Sequence, residues 1–164
     1  MATTFTKAAV GALASVIPGV VTTGLRNLAN STCRLGSVVT PTAAAPELEV
    51  SYRLESVFVA GSITVGLVIA KAWWALDVGN SGTYDDMISL DAGTTPPGVA
   101  PDFIFVAEKA VNNAKLYTQS NPKVLARPAG VHKILLQNTS GFAFANTNDT
   151  DSLLKESTNN ELGT

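Results

Sequence analysis

The chain has 164 residues, enough for one domain with a packed core and some chain to spare. Apolar residues make up 46% of it, charged residues only 15% against about 25% in an ordinary globular domain, and the net charge is −2. A single cysteine, Cys33, and a single histidine, His132, exclude an internal disulfide and a CxxC metal site and argue against zinc.

Residues 1–46 carry Lys7, Arg26 and Arg34 and no acid, whereas residues 47–164 carry five more acids than bases. Three cations over that length are too sparse for a nucleic-acid patch, so no nucleic-acid partner is expected. Ala8 to Val21 is largely apolar but is broken by Pro18-Gly19, too short for a membrane span. The small residues of Ala12-Leu13-Ala14 fall inside the apolar run, which argues against a leader peptide. Ala8 to Ile17 has room for two helical turns, stopped by Pro18. Thr40 to Pro46, with a proline near each end, reads as a linker. Residues 1–46 are therefore expected to form an extended N-terminal arm that leaves the body. Its apolar set, Phe5, Val10, Leu13, Val16, Ile17, Val20, Val21, Leu25 and Leu28, would bury against a partner, with Arg26 and Arg34 steering towards acidic surface. Ordering an arm costs about 1–2 kcal/mol per residue, so the partner must be substantial. Two alternatives stay open: a local helix folded back on the body, or a strand given to the chain's own sheet.

From Glu47 the pattern turns β. Leu48, Val50, Tyr52 and Leu54 share one face, and Glu47, Glu49, Ser51, Arg53 and Glu55 share the other, wet one. Ile63 to Asp77 reads as a long extended stretch, apolar on both faces and so covered on both sides. Adjacent Trp73 and Trp74 point to opposite faces, one into the core and the other under the 83–101 connection or into an interface. Short strands are expected at Phe103–Ala107, Lys115–Gln119, Lys123–Arg127, Val131–Gln137 and Phe142–Ala145. The polar tail, residues 147–164, offers one edge strand at Leu153-Leu154. Seven or eight strands with a turn about every ten residues predict an antiparallel β-sandwich over residues 47–146.

Chemistry-bearing patterns are scarce. His132 lies in an apolar strand, and no nucleophile elbow accompanies it. Asp85-Asp86 and Asp91 lack the spacing of a calcium loop, so turn solvation is the expected role. No glycine-rich phosphate loop is present. The expectation is a protein without catalysis, cofactor, metal or small-molecule substrate.

Four stretches carry a resemblance over residues 47–146: Glu47-Leu48-Glu49-Val50-Ser51-Tyr52, Trp73-Trp74-Ala75-Leu76-Asp77-Val78-Gly79, Tyr84-Asp85-Asp86, and Pro128 to Ala143 with its Asn138-Thr139-Ser140-Gly141 turn. Together they resemble small virion proteins of tailed bacteriophages, the cement or head-decoration type built on a jelly-roll sandwich. The resemblance implies a homotrimer that clamps the major capsid protein on the capsid exterior and is made in the host bacterial cytoplasm. Tail, collar and fibre components share this composition. A carbohydrate-binding sandwich using Trp73 or Trp74 is the rival class.

Overall fold

A computed structural model of the chain describes residues 5–7, 14–17, 24–40, 49–58, 61–77, 82, 84–112, 114–126, 128, 130–145, 147–159 and 161–163. Its strands are β1 (Phe5–Lys7), β2 (Ala14–Ile17), β3 (Cys33–Leu35), β4 (Glu49–Ser56), β5 (Ser62–Ile63), β6 (Val68–Leu76), β7 (Phe103–Val106), β8 (Val111–Asn112), β9 (Leu116–Asn121), β10 (Leu125–Ala126), β11 (His132–Asn138), β12 (Leu153–Asn159) and β13 (Glu161–Gly163). A short 3-10 helix spans Tyr84–Leu90. The fold is all-β and antiparallel, as the alternation predicts. In β9, Leu116, Thr118 and Ser120 are buried while Tyr117, Gln119 and Asn121 face outwards, the period of a strand with one wet face.

Eight strands wrap into one nearly closed barrel in the order β2-β12-β4-β9-β7-β6-β11-β3. The pairs β2·β12, β3·β11, β4·β9 and β6·β7 join first to last, second to second-last, and so on inwards. The chain is thus one long antiparallel ribbon of four pairs, rolled so that β12 also pairs with β4, β11 with β6, and β9 with β7. That is the jelly-roll order, two four-stranded sheets back to back. On the remaining side the Ser37 amide donates to the Val16 carbonyl at 2.9 Å and brings the edges of β3 and β2 together. The seam is tight at Gly36, where a Cβ would lie 2.7 Å from the Val16 carbonyl oxygen. β1 and β13 continue the outermost pairing towards the two termini, β5 and β8 form a small separate ladder, and β10 extends the pairing along β4.

The interior is filled by the chain's own side chains. Tyr52 stacks on Phe103 with ring centroids 4.6 Å apart, Phe103 meets Phe105 edge-on, and Phe58 meets Phe144 likewise. Ile17, Leu25, Leu28, Leu54, Ile63, Ile69, Leu116 and Leu154 complete it, all fully buried. Buried Asn138 ties one end together. Its amide donates to the carbonyls of Leu28 and Phe142, and its side-chain oxygen accepts from the Ser140 amide and hydroxyl. The Asn-Thr-Ser-Gly turn is therefore a structural lock between the 24–32 and 139–145 connections.

Several expectations are corrected. Ala14–Ile17 is a strand rather than the end of a helix. Val16, Ile17, Leu25 and Leu28, assigned to an arm on a partner, sit in the chain's own core, and Cys33–Leu35 pairs with β11. Doubling the chain back into one ribbon requires this, because the first barrel strand then pairs with the last. Arg26 and Arg34 pair within the chain, with Asp149 at 2.7 Å and Asp91 at 3.9 Å. Phe5 lies on β1, whose side chains are outside the described residues, as are Val10, Leu13, Val20, Val21 and residues 41–46 of the linker. The supposed polar tail holds β12, which lies between β2 and β4 rather than at an edge. The long stretch from Ile63 breaks at Val65-Gly66, where Gly66 has φ of +84°, before β6 begins. Phe142–Ala145 makes a single bridge, Phe58 to Phe144, in place of a strand.

Candidate functional site

The two sheets treat their outer faces differently. On the sheet β3-β11-β6-β7, the outward Trp73, Leu135 and Cys33 form a second small apolar cluster. Leu35, Met87 and Leu90 pack on it, the last two from the 3-10 helix. The Trp73 indole N–H donates to the Val99 carbonyl at 3.1 Å. Trp73 therefore packs under the 83–101 connection. Trp74 points the other way, into the main core, and its indole N–H donates to the Tyr52 hydroxyl. Both indole N–H groups are spent inside the chain, which leaves the expected interface aromatics without a polar handle for a partner.

The outer face of β2-β12-β4-β9 carries charge instead. Register builds the cluster. Arg53 and Glu55 are two apart on β4 and share a face; Lys155 of β12 lies opposite Arg53, and Tyr117 of β9 opposite Glu55. Lys115 precedes Tyr117 by two residues. Arg53, Lys115 and Lys155 reach the Glu55 carboxylate at 2.7, 2.9 and 2.8 Å. The Glu55 side chain is 4% exposed, while the cations keep 34%, 28% and 25% exposure. Burial by itself pushes the Glu55 carboxyl up. The hydrogen bonds from Lys155, Lys115 and Arg53 more than reverse this, bringing it from the ordinary 4.5 to about 2. Three cations on one carboxylate leave a positive excess. Tyr117 stands 53% exposed beside them. The Arg53 guanidinium carbon lies 5.6 Å from its ring centroid and the Lys115 ammonium 5.7 Å. Beyond it on β9, Gln119 and Asn121 border an open trough of about 270 Å³ that Lys123 and Glu108 also line.

The other titratable groups singled out in the sequence are held in structural settings. His132 is fully buried facing the core, its Nδ1 2.9 Å from the Gly130 carbonyl. Burial pushes the Cys33 thiol up, and the charge of Asp91 adds to it, the reverse of what a nucleophilic thiolate needs. Inside the barrel, burial and then the charge of Glu156 raise Tyr52, which keeps its proton. The side chains of Asp85 and Asp86 lie outside the described residues. Among the described residues, no three His, Cys, Asp or Glu side chains are grouped to share a metal ion, and no helix is long and apolar enough to cross a membrane.

The charged cluster was only half legible. The wet face of β4, with Arg53 and Glu55, follows from alternation. The arrival of Lys115 and Lys155 depends on pairing across 60 and 100 positions of chain, which no local pattern signals. Comparison with protein-family profiles, curated proteins and solved structures finds no match.

Proposed function

We propose that the chain is a non-enzymatic structural protein of a virus particle, a jelly-roll unit that works through its outer surfaces. The observation that supports this is the filled barrel. With Tyr52, Phe103, Phe105 and Phe144 occupying the interior, binding is left to the outside of the sheets and to the loops. Viral shells are one of the common uses of the jelly roll, beside lectins and cupins, although a fold alone does not fix a function. The resemblance described above supplies the mode: a decoration protein of a tailed-bacteriophage capsid, a homotrimer seated on the major capsid protein at the capsid exterior.

A second mode, a subunit that builds the shell itself, does not depend on the expected arm. Residues 14–17 and 24–40, expected to lash neighbouring subunits, are folded into the unit's own sheets and core. Light scattering and negative-stain electron microscopy of the purified full chain separate the modes. A decoration protein stays a small closed oligomer, a trimer by symmetry, and saturates bare phage heads at a fixed stoichiometry. A shell subunit forms closed particles unaided. A monodisperse monomer that binds no capsid overturns the proposal. The carbohydrate-binding alternative draws no support from the placement of Trp73 and Trp74.

A further inference from the structure

We propose that the outer face of the β2-β12-β4-β9 sheet binds single-stranded nucleic acid, with phosphates held by Arg53, Lys115 and Lys155 and a base stacked on Tyr117. The cations are organised for an anion from solvent. Glu55 lies beneath them, nearly sealed, and takes their inward N–H groups; each cation keeps a quarter to a third of its side chain exposed. A lysine ammonium has three N–H donors and an arginine guanidinium five, so the carboxylate uses only part of the supply. Lys115 spends another donor on the Thr150 carbonyl at 2.6 Å. Of the acids nearby, Asp149 pairs with Arg26, Asp151 accepts from the neutral Asn148 amide, and Glu49 stands exposed further along the outer face of β4. Within the cluster itself, three cations meet one carboxylate.

Tyr117 decides the class of polyanion. An acidic polypeptide offers a π face only where an aromatic side chain lies beside its carboxylates, whereas a half-exposed ring flanked by two cations suits a ligand that carries both groups in every unit. A nucleotide offers both a phosphate and a base, the combination that sequence-tolerant single-strand binders use. Outward alternation along β9 places two amides, Gln119 and Asn121, next to Tyr117 beside the open trough, within the run of a neighbouring nucleotide. The sequence suggests no such partner because its cations are scattered along the chain; the sheet assembles them.

The test is fluorescence anisotropy of a labelled oligouridylate of roughly 20 nucleotides with the purified full chain, titrated from about 50 mM salt upwards. Binding is expected at low salt and falls as salt rises. Tyr117→Ala, at an exposed position, is expected to keep the thermal melt and weaken binding about tenfold. Lys155→Gln is expected to lower the salt slope by about one. Lys71→Gln, on the opposite sheet, is expected to change neither. No binding at low salt overturns the proposal. So does a Tyr117→Ala variant that binds like the parent while poly-glutamate displaces the RNA, which assigns the face to an acidic polypeptide. The readout is binding by the free chain, so its failure leaves the proposed shell role standing, and failure of assembly leaves this face untouched.

Discussion

The outer faces of the two sheets solve one problem in opposite ways. Both sheets bury their inner faces in the same core. On β3-β11-β6-β7 the outward positions of β6, β11 and β3 include Trp73, Leu135 and Cys33, and the chain covers them with its own 3-10 helix and the segment that follows. On β2-β12-β4-β9 the outward positions hold Arg53, Glu55, Lys155 and Tyr117, and the cations gather on the Glu55 carboxylate with no apolar cover among the described residues. Apolar outer positions must be removed from water, whereas charged ones need only partners. The covered face is part of the folded core, and the open face is where the molecule is free to meet something else.

This comparison can be broken at several depths. Deleting residues 2–40 removes β2 from the charged sheet and β3 from the covered one, and with them Ile17, Leu25 and Leu28. The truncated chain is expected to lose its cooperative thermal transition altogether; a native-like melt would show that β2 and β3 are dispensable. Trp73→Ala tests the cover, and a cost of about 3–5 kcal/mol in urea unfolding is expected. A cost below about 0.5 kcal/mol, the usual surface value, would mean the two faces do not differ.

Glu55→Gln tests the charged face. Removing the shared acceptor leaves three cations crowded together, and a loss of about 3 kcal/mol is expected. The parent protein should show the same dependence with pH. Because the Glu55 carboxyl is lowered from 4.5 to about 2 in the folded state, its contribution is complete above pH 4.5 and is lost as the pH falls from there to about 2. Stability measured across that window should drop in the parent and drop less in Glu55→Gln; parallel curves would remove Glu55 as the organiser of the cluster. The smallest effect is expected for Tyr117→Ala, within about 0.5 kcal/mol of the parent, since its ring stands half in solvent. A larger loss would make the open face structural as well.

Alternation and turn chemistry make much of this protein legible: the all-β class, the places of β4, β6, β7, β9 and β11, the opposite facing of Trp73 and Trp74, and the outward face of β4 that carries Arg53 and Glu55. Each is a matter of residues two apart, or of a local break, and so is written where it acts. Packing in three dimensions places Val16, Ile17, Leu25 and Leu28 in the core, sets β12 between β2 and β4, and brings Lys115 and Lys155 together on Glu55. A strand's own sequence states which face is apolar but not which strand it pairs with, because its backbone donors and acceptors are the same for every partner. Short β2, with Pro18 beyond it, carries too few alternating residues to announce itself. Doubling the chain back into a ribbon pairs the first barrel strand with the last, and that pairing makes an apparent arm and an apparent tail neighbours in one sheet.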